Sequence, residues 1–266
     1  MLVLEDVSLH RIVGFGAVVI EPKFIRNLGF VGHIEDVVVD QGLRRKGLGR
    51  RLIERLTAVA KQRGCYKVII DCDAHNIHFY DSCGFTRKGT CLSHYFPSSP
   101  RPSTMNLIPK YTPMPASHRD RFTIRPLAPG DYDRGFLQVL AQLTVVGEMT
   151  QTQFAERLKD MAANVQHHVI VMIDTETDKV VAAGTLFVEQ KFIRNAGRAG
   201  HVEDVVVDSS LRGFGLGRAM LEYIRELARA AGCYKAILDC EDNLVDFYGK
   251  FGFTKAHSSE FMAHYF

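Results

Sequence analysis

Two periods of apolar residues run along the chain. Phe122-Thr-Ile-Arg alternates as a short strand does, and Pro126 and a turn-like Pro-Gly-Asp follow it. Phe136, Leu137, Leu140 and Leu143, then Phe154, Leu158 and Met161, fall at helical spacing and predict helix within 131–163. Val169–Ile173 and Val180–Val188 read as strands around the turn Asp174–Lys179, a predicted hairpin. Val202–Asp208 reads as an apolar buried strand. Met220, Leu221, Ile224, Leu227 and Ala228 then form one face of a helix that stops at Gly232. Tyr234–Cys240 is the next predicted strand, Asn243–Gly249 a short helix, and the tail a last strand. This mixed order predicts a three-layer α/β domain.

The same pattern occurs earlier in the chain, displaced by 168 residues. Residues 23–40 and 191–208 agree at 14 of 18 positions without a gap. Gly64-Cys-Tyr-Lys67 returns as Gly232-Cys-Tyr-Lys235, and both copies end in His-Tyr-Phe, at 94–96 and 264–266. The expected organisation is a first copy over 1–96, a linker over 97–121 and a second copy over 122–266. The first copy lacks the counterpart of 122–168, so it is truncated at its N-terminal side. The linker holds six of the nine prolines, which break helix and sheet alike and make it semi-rigid.

Composition narrows the class without naming a chemistry. A chain of 266 residues with 46% hydrophobic and 24% charged residues is globular rather than disordered. Thirty-three Lys and Arg against 30 Asp and Glu leave +3, too little to argue for a nucleic-acid partner. The stretch 41–63 carries eight Lys or Arg against one Glu, which reads as a solvated helix face near an anionic ligand. No apolar run reaches the ~18–20 residues of a membrane span, and the start has neither the charge nor the apolar length of a signal peptide. A cytoplasmic protein without a membrane partner is expected. Six cysteines without a CxxC pair are expected as reduced, mostly buried thiols, and no metal is expected although Cys72, His75, His78, Cys83, Cys91 and His94 crowd together.

The strongest local signal lies between the buried strand and the long helix. It reads Arg212-Gly-Phe-Gly215-Leu-Gly217-Arg218 in the second copy and Arg44-Arg-Lys-Gly47-Leu-Gly49-Arg50 in the first. Glycines at this spacing turn the backbone tightly and aim several N–H groups into one concavity at a helix N-terminus, which suits a pyrophosphate. Neither the nucleotide-triphosphatase loop nor the dinucleotide fingerprint is present. The turn after an Asp-Val-Val-Val strand resembles the acetyl-CoA signature of the GNAT superfamily of N-acetyltransferases. Gly-His-Val-Glu-Asp-Val-Val-Val, Gly-Cys-Tyr-Lys-Ala-Ile-Leu-Asp-Cys, Phe247-Tyr248 with Gly252-Phe253, Ile124-Arg-Pro-Leu and Gln142-Leu-Thr-Val-Val-Gly147 are similar to the eukaryotic glucosamine 6-phosphate N-acetyltransferase family. The likeness covers 122–266 and most of 1–96.

The resemblance implies an α/β fold, with a GNAT-type three-layer domain about a central mixed, mostly antiparallel sheet, present twice. It implies an acetyl-CoA-dependent enzyme that acetylates the amine of glucosamine 6-phosphate through a ternary complex, a step of UDP-GlcNAc biosynthesis. Main-chain groups of Val205, Val206 and Val207 would pair with pantetheine, and Arg212, Gly213, Phe214, Gly215, Leu216, Gly217 and Arg218 would cradle the pyrophosphate. Tyr248 would protonate the departing thiolate. Glu203 and Asp204 would hold the amine and take its proton, although strand alternation puts adjacent side chains on opposite faces and would divide their roles. Thr144, Lys191, Phe192, Ile193, Arg194, Asp239 and the terminal His94 and His264 would contact the sugar phosphate. The family has Asn four residues before the Tyr. The first copy keeps it as Asn76 before Tyr80, with Arg44, Gly47 and Gly49 in its turn, whereas the second has Leu244 there and Asn243 one position away. Relatives resemble intertwined homodimers whose C-terminal strands cross, so an internal pseudo-dimer or a homodimer is expected. Transfer to another small amine and a non-catalytic acetyl-CoA-binding scaffold are the alternatives.

Overall fold

A computed structural model describes residues 1–96, 120–255 and 259–266, so most of the proline-rich linker lies outside the described residues. The first copy contributes β1 (Leu2–Asp6), β2 (Arg11–Pro22), α1 (Ile25–Leu28), β3 (Phe30–Val39), α2 (Leu48–Gln62), β4 (Cys65–Asp73), α3 (Ile77–Asp81) and β5 (Thr86–Tyr95). The second contributes β6 (Phe122–Pro126), α4 (Phe136–Leu140), α5 (Gln151–Ala163), β7 (His167–Asp174), β8 (Lys179–Gln190) and α6 (Ile193–Ala196). It continues with β9 (Arg198–Val207), α7 (Leu216–Ala230), β10 (Cys233–Cys240), α8 (Val245–Gly249) and β11 (Ser259–Tyr265). The hairpin, the buried strand and the long helix predicted from periodicity are all present. The 131–163 stretch instead forms two helices, because α4 ends at Leu140 and a new helix starts only at the Thr150 cap. Thr150 Oγ1 accepts from the Gln153 N–H at 3.3 Å while Gln153 Oε1 accepts from the Thr150 N–H at 2.9 Å.

The chain divides into two compact units that do not follow the copy boundaries. The first unit comprises Met1–Cys91, Cys240–Asp242 and Lys255–Phe266; the second comprises Leu92–Asp239 and Asn243–Thr254. In the first unit the strand order is β1-β2-β3-β4-β11-β5. The last strand of the second copy runs antiparallel to β4 from Ser259↔Asp73 to Tyr265↔Lys67, and pairs with β5 on its other edge at Glu260↔Thr90 and Phe261↔Gly89. Arg87 ties the exchange down, donating to Glu260 at 2.6 Å and to both oxygens of Asp242. In the second unit the order is β10-β9-β8-β7-β6, with the end of β5 beside β10.

Each sheet is covered as its sequence periodicity requires. Leu52, Ile53, Leu56 and Ala60 of α2 are buried in the first unit, and Met220, Leu221, Ile224, Leu227 and Ala228 of α7 in the second. In the second unit Phe136, Val139 and Leu140 of α4 and Phe154 and Met161 of α5 are buried as well. Each such large side chain contributes roughly 1.5–3 kcal/mol on burial. Cys65, Cys72, Cys91, Cys233 and Cys240 are buried thiols, and burial pushes Cys65 up to about 11 and Cys72 and Cys233 up to about 12. Among the described residues no helix is long and apolar enough to cross a membrane.

Candidate acetyl-transfer site

The second unit opens its sheet where the site lies. Strands β9 and β10 run parallel, and their pairing stops at Ile237↔His201. Residues 205–207 therefore keep β8 on one edge, through Ala183↔Val206 and Ala182↔Val207, and among the described residues no β10 pairing covers the other. A β-bulge marks the opening: Thr185 pairs with Glu203 and Ala183 with Val206, and Asp204 takes φ 52. Glu203 and Val206, three residues apart, consequently face the same way. The extra residue lies at Asp204–Val205, which together oppose Gly184, so the alternation is interrupted after Asp204. The first copy repeats the device, with Asp36 at φ 55 and β3–β4 pairing that ends at His33↔Ile69.

A cavity of 650 Å³ occupies the opening, lined among others by Val205–Val207, Arg212, Gly215, Gly217, Phe247 and Tyr248. Gly215 caps α7 with φ 79, a left-handed conformation that costs a side chain about 1–2 kcal/mol. The first bond of the helical ladder runs from the Ala219 N–H to the Gly215 carbonyl, so the N–H groups of 216–218 precede it and form the positive end of the helix. Arg218 is tied to Glu222 at 2.8 Å one turn along. Asp208, at the head of this loop, is held below the ordinary carboxylate range by hydrogen bonds from the Ser210 hydroxyl and N–H and from Gln142. Gln142 also accepts from the Ser209 N–H at 2.8 Å and lines the cavity with Leu143. The sequence alone gives Gln142 no role of its own, although it opens the Gln142–Gly147 motif.

The first unit holds a matching cavity of 690 Å³, lined by Val37–Val39, Arg44, Gly47, Gly49, Asn76 and Tyr80 among others. There Asn76 faces the space, whereas Leu244 lines the second unit's cavity and the exposed Asn243 does not. Tyr80 is buried, which pushes its phenol up to about 12. Tyr248 is half-buried, edge-on to Phe247 at 5.2 Å.

The residues expected to meet the sugar phosphate are distributed unevenly. Lys191 is buried and its ammonium lies 2.7 Å from Glu189, which also receives the His201 Nε2–H at 3.0 Å. Burial alone would raise the Glu189 carboxyl; the His201 bond and the Lys191 charge outweigh it and hold it below the ordinary range. The first copy builds the same buried triad from Glu21, Lys23 and His33. Phe192, Ile193 and Arg194 are exposed on the strained turn α6, where Arg194, Asn195 and Ala196 all have positive φ, and the Arg194 guanidinium lies 5.9 Å from the Tyr234 ring centre. Phe214 is exposed on the glycine turn, Thr144 follows α4, and Asp239 lies half-buried at the end of β10. His94 and His264 fall in different units. His94 donates from Nδ1 to the Gly252 carbonyl at 2.8 Å, and His264 to the Gly84 carbonyl at 2.7 Å.

An opened parallel pair above a left-handed glycine cap recurs in both units, and the comparisons with known proteins agree with it. The acetyltransferase (GNAT) family model matches residues 2–85 and 138–253. The chain belongs to the GNAT family. Two GNAT relatives are close in sequence. Glucosamine 6-phosphate N-acetyltransferase of Arabidopsis thaliana is 43% identical over 136 residues, covering 51% of this chain and 91% of the relative. A rice counterpart, glucosamine 6-phosphate N-acetyltransferase 1 of Oryza sativa subsp. japonica, is 45% identical over 137 residues, 51% of this chain and 83% of its own. The crystal structure of the Arabidopsis enzyme superposes with a TM-score of 0.50 at 40% identity, over 51% of this chain and 92% of that one. A tandem GNAT protein from the clavulanic acid pathway covers 96% of this chain and 80% of its own at TM-score 0.52 and 14% identity, a likeness of fold alone. This GNAT chain is thus an acetyltransferase by family, with each close relative spanning about half of it.

Proposed function

We propose that the chain transfers acetyl from acetyl-CoA to the amine of glucosamine 6-phosphate, with the second copy as the working site. The single observation that carries this reading is the cavity between the unpaired edge of Val205–Val207, the α7 N-terminus and Tyr248. An extended pantetheine arm would pair with that strand edge, and the pyrophosphate would lie on the N–H groups at 216–218 beside Arg212. The amine attacks the thioester carbonyl, and strand N–H groups at 205–207 stabilise the oxyanion. Collapse breaks the C–S bond; Tyr248 gives its proton to the thiolate, and Glu203 or Asp204 takes the proton the amine loses. For the sugar phosphate, Arg194 on its exposed turn is the better cation, since Lys191 already neutralises Glu189.

The first copy retains a matching cavity at its own glycine turn, and we assign it donor binding. Exchange of β11 into the first unit and of residues 92–95 into the second supports an internal pseudo-dimer. The test is thiol release from acetyl-CoA by the full chain, comparing glucosamine 6-phosphate, glucosamine and a lysine peptide. Release that requires the 6-phosphate is the expected outcome. Equal release with glucosamine would move the substrate to another small amine, and silence with all three would favour a binding scaffold.

A further inference from the structure

Tyr248 is the next-to-last residue of α8, before a tight turn whose anchors come from two parts of the chain. Its carbonyl accepts from the Phe251 N–H at 3.0 Å and the Phe253 N–H at 3.4 Å, and the Gly252 N–H bonds the Gly249 carbonyl at 3.0 Å. Two side chains pin the outward carbonyls of that turn. Arg225, on α7, donates to Phe251 O at 2.8 Å. His94, on the end of β5 and therefore from the first copy, donates from Nδ1 to Gly252 O at 2.8 Å. The imidazole is fixed as well as bonded, between Phe96 at 5.2 Å and Phe253 at 5.8 Å. Its neighbour Ser93 exchanges two backbone bonds with Thr254, at 2.8 and 2.9 Å.

Gly252 is fitted to this contact. It sits at φ 78, and a Cβ there would meet His94 Nδ1 at 3.0 Å. The equivalent turn of the first unit is less secured. His264 bonds Gly84 there, but Thr57 occupies the place of Arg225, and its buried hydroxyl has no hydrogen-bond partner among the described residues.

We propose that His94, supplied by the first copy, is a positioning residue for Tyr248: its Nδ1–H holds the Gly252 carbonyl and so fixes the turn that aims the phenol in the second copy's site. This rests on the reading of Tyr248 as the proton donor to the thiolate. It gives the first copy a part in the chemistry that does not depend on its own turnover, and it assigns the His94 ring a partner other than the sugar phosphate.

The test is steady-state kinetics on the full chain with acetyl-CoA and glucosamine 6-phosphate, for wild type, Tyr248→Phe, His94→Phe, His94→Asn and the Tyr248→Phe/His94→Phe double variant. Phe keeps the packing and removes the donor; Asn returns an N–H close to the place of Nδ1. His94→Phe is expected to lower kcat about tenfold, the worth of one well-placed hydrogen bond, with both KM values within about twofold. His94→Asn recovers most of that loss, and the double variant is no slower than Tyr248→Phe alone. Gly252→Ala, which drives the ring away, reproduces the kcat loss and serves if His94→Phe does not fold. Wild-type kcat in His94→Phe beside a slow Tyr248→Phe would overturn the proposal while leaving the acid in place. A rise confined to KM for the sugar phosphate would also overturn it, returning His94 to the substrate. Full activity in Tyr248→Phe would instead remove the reading on which it rests.

Discussion

Gly215 and Asp131 are two residues whose conformation or charge state the fold imposes. Gly215 holds φ 79 at the start of α7, where its carbonyl begins the helix and the following N–H groups face the donor cavity. Gly215→Ala is expected to tilt this cap at a cost of about 1–2 kcal/mol, weakening acetyl-CoA binding roughly tenfold by calorimetry. Asp131 is fully buried; burial pushes its carboxyl up, but hydrogen bonds from Arg125 and the Ala128 N–H outweigh this and leave it below the ordinary value. A lowered folded pKa contributes stability above the unfolded value of about 3.9 and loses it as pH falls through the folded value. Urea unfolding should therefore find Asp131→Asn clearly weaker than wild type at pH 7, with the gap closing below about pH 4. Burial also pushes the Tyr80 phenol up to about 12, so it yields its proton less readily than an ordinary phenol.

Secondary structure followed the local sequence where one period ran uninterrupted. The α7 face, the β7–β8 hairpin and the glycine turn were legible because each depends on neighbours within a few residues. The break between α4 and α5 was less so, since apolar spacing continues across 141–150 while the cap that restarts the helix is a pair of polar side chains. Thr150→Ala should cost about 1 kcal/mol, read as a drop of a few degrees in melting temperature. The bulge at Asp204 left no mark in the sequence. Glu-Asp-Val-Val-Val reads as plain strand, and only the pairing of Thr185 with Glu203 and Ala183 with Val206 reveals the extra residue. Gln142 and Arg225 were likewise invisible as site supports, because their partners lie on loops distant in sequence.

At the scale of the molecule the two copies share their ends. Strand β11 supplies the place between β4 and β5 in the first unit, and the Arg87–Glu260 and Arg87–Asp242 pairs accompany it. Removing residues 259–266 is therefore expected to loosen the first unit although it shortens the second copy. Hydrogen exchange should rise over 65–73 and 86–90, whose ladders β11 completes, before it rises over β7 and β8. Loss of protection confined to the second unit would contradict the exchange.

The amino-acid sequence by itself determined the duplication, the α/β class, the glycine turns and the family they resemble. Those features are carried by short words and local periods, and they survive any arrangement of the whole. Tertiary structure alone decided which copy each terminal strand completes. Both strands end in His-Tyr-Phe and follow near-identical elements, so nothing local distinguishes one slot from the other. It decided, too, that Lys191 neutralises a buried carboxylate and that His94 meets a carbonyl of the opposite copy, since both depend on groups brought together by pairing rather than by proximity in the chain.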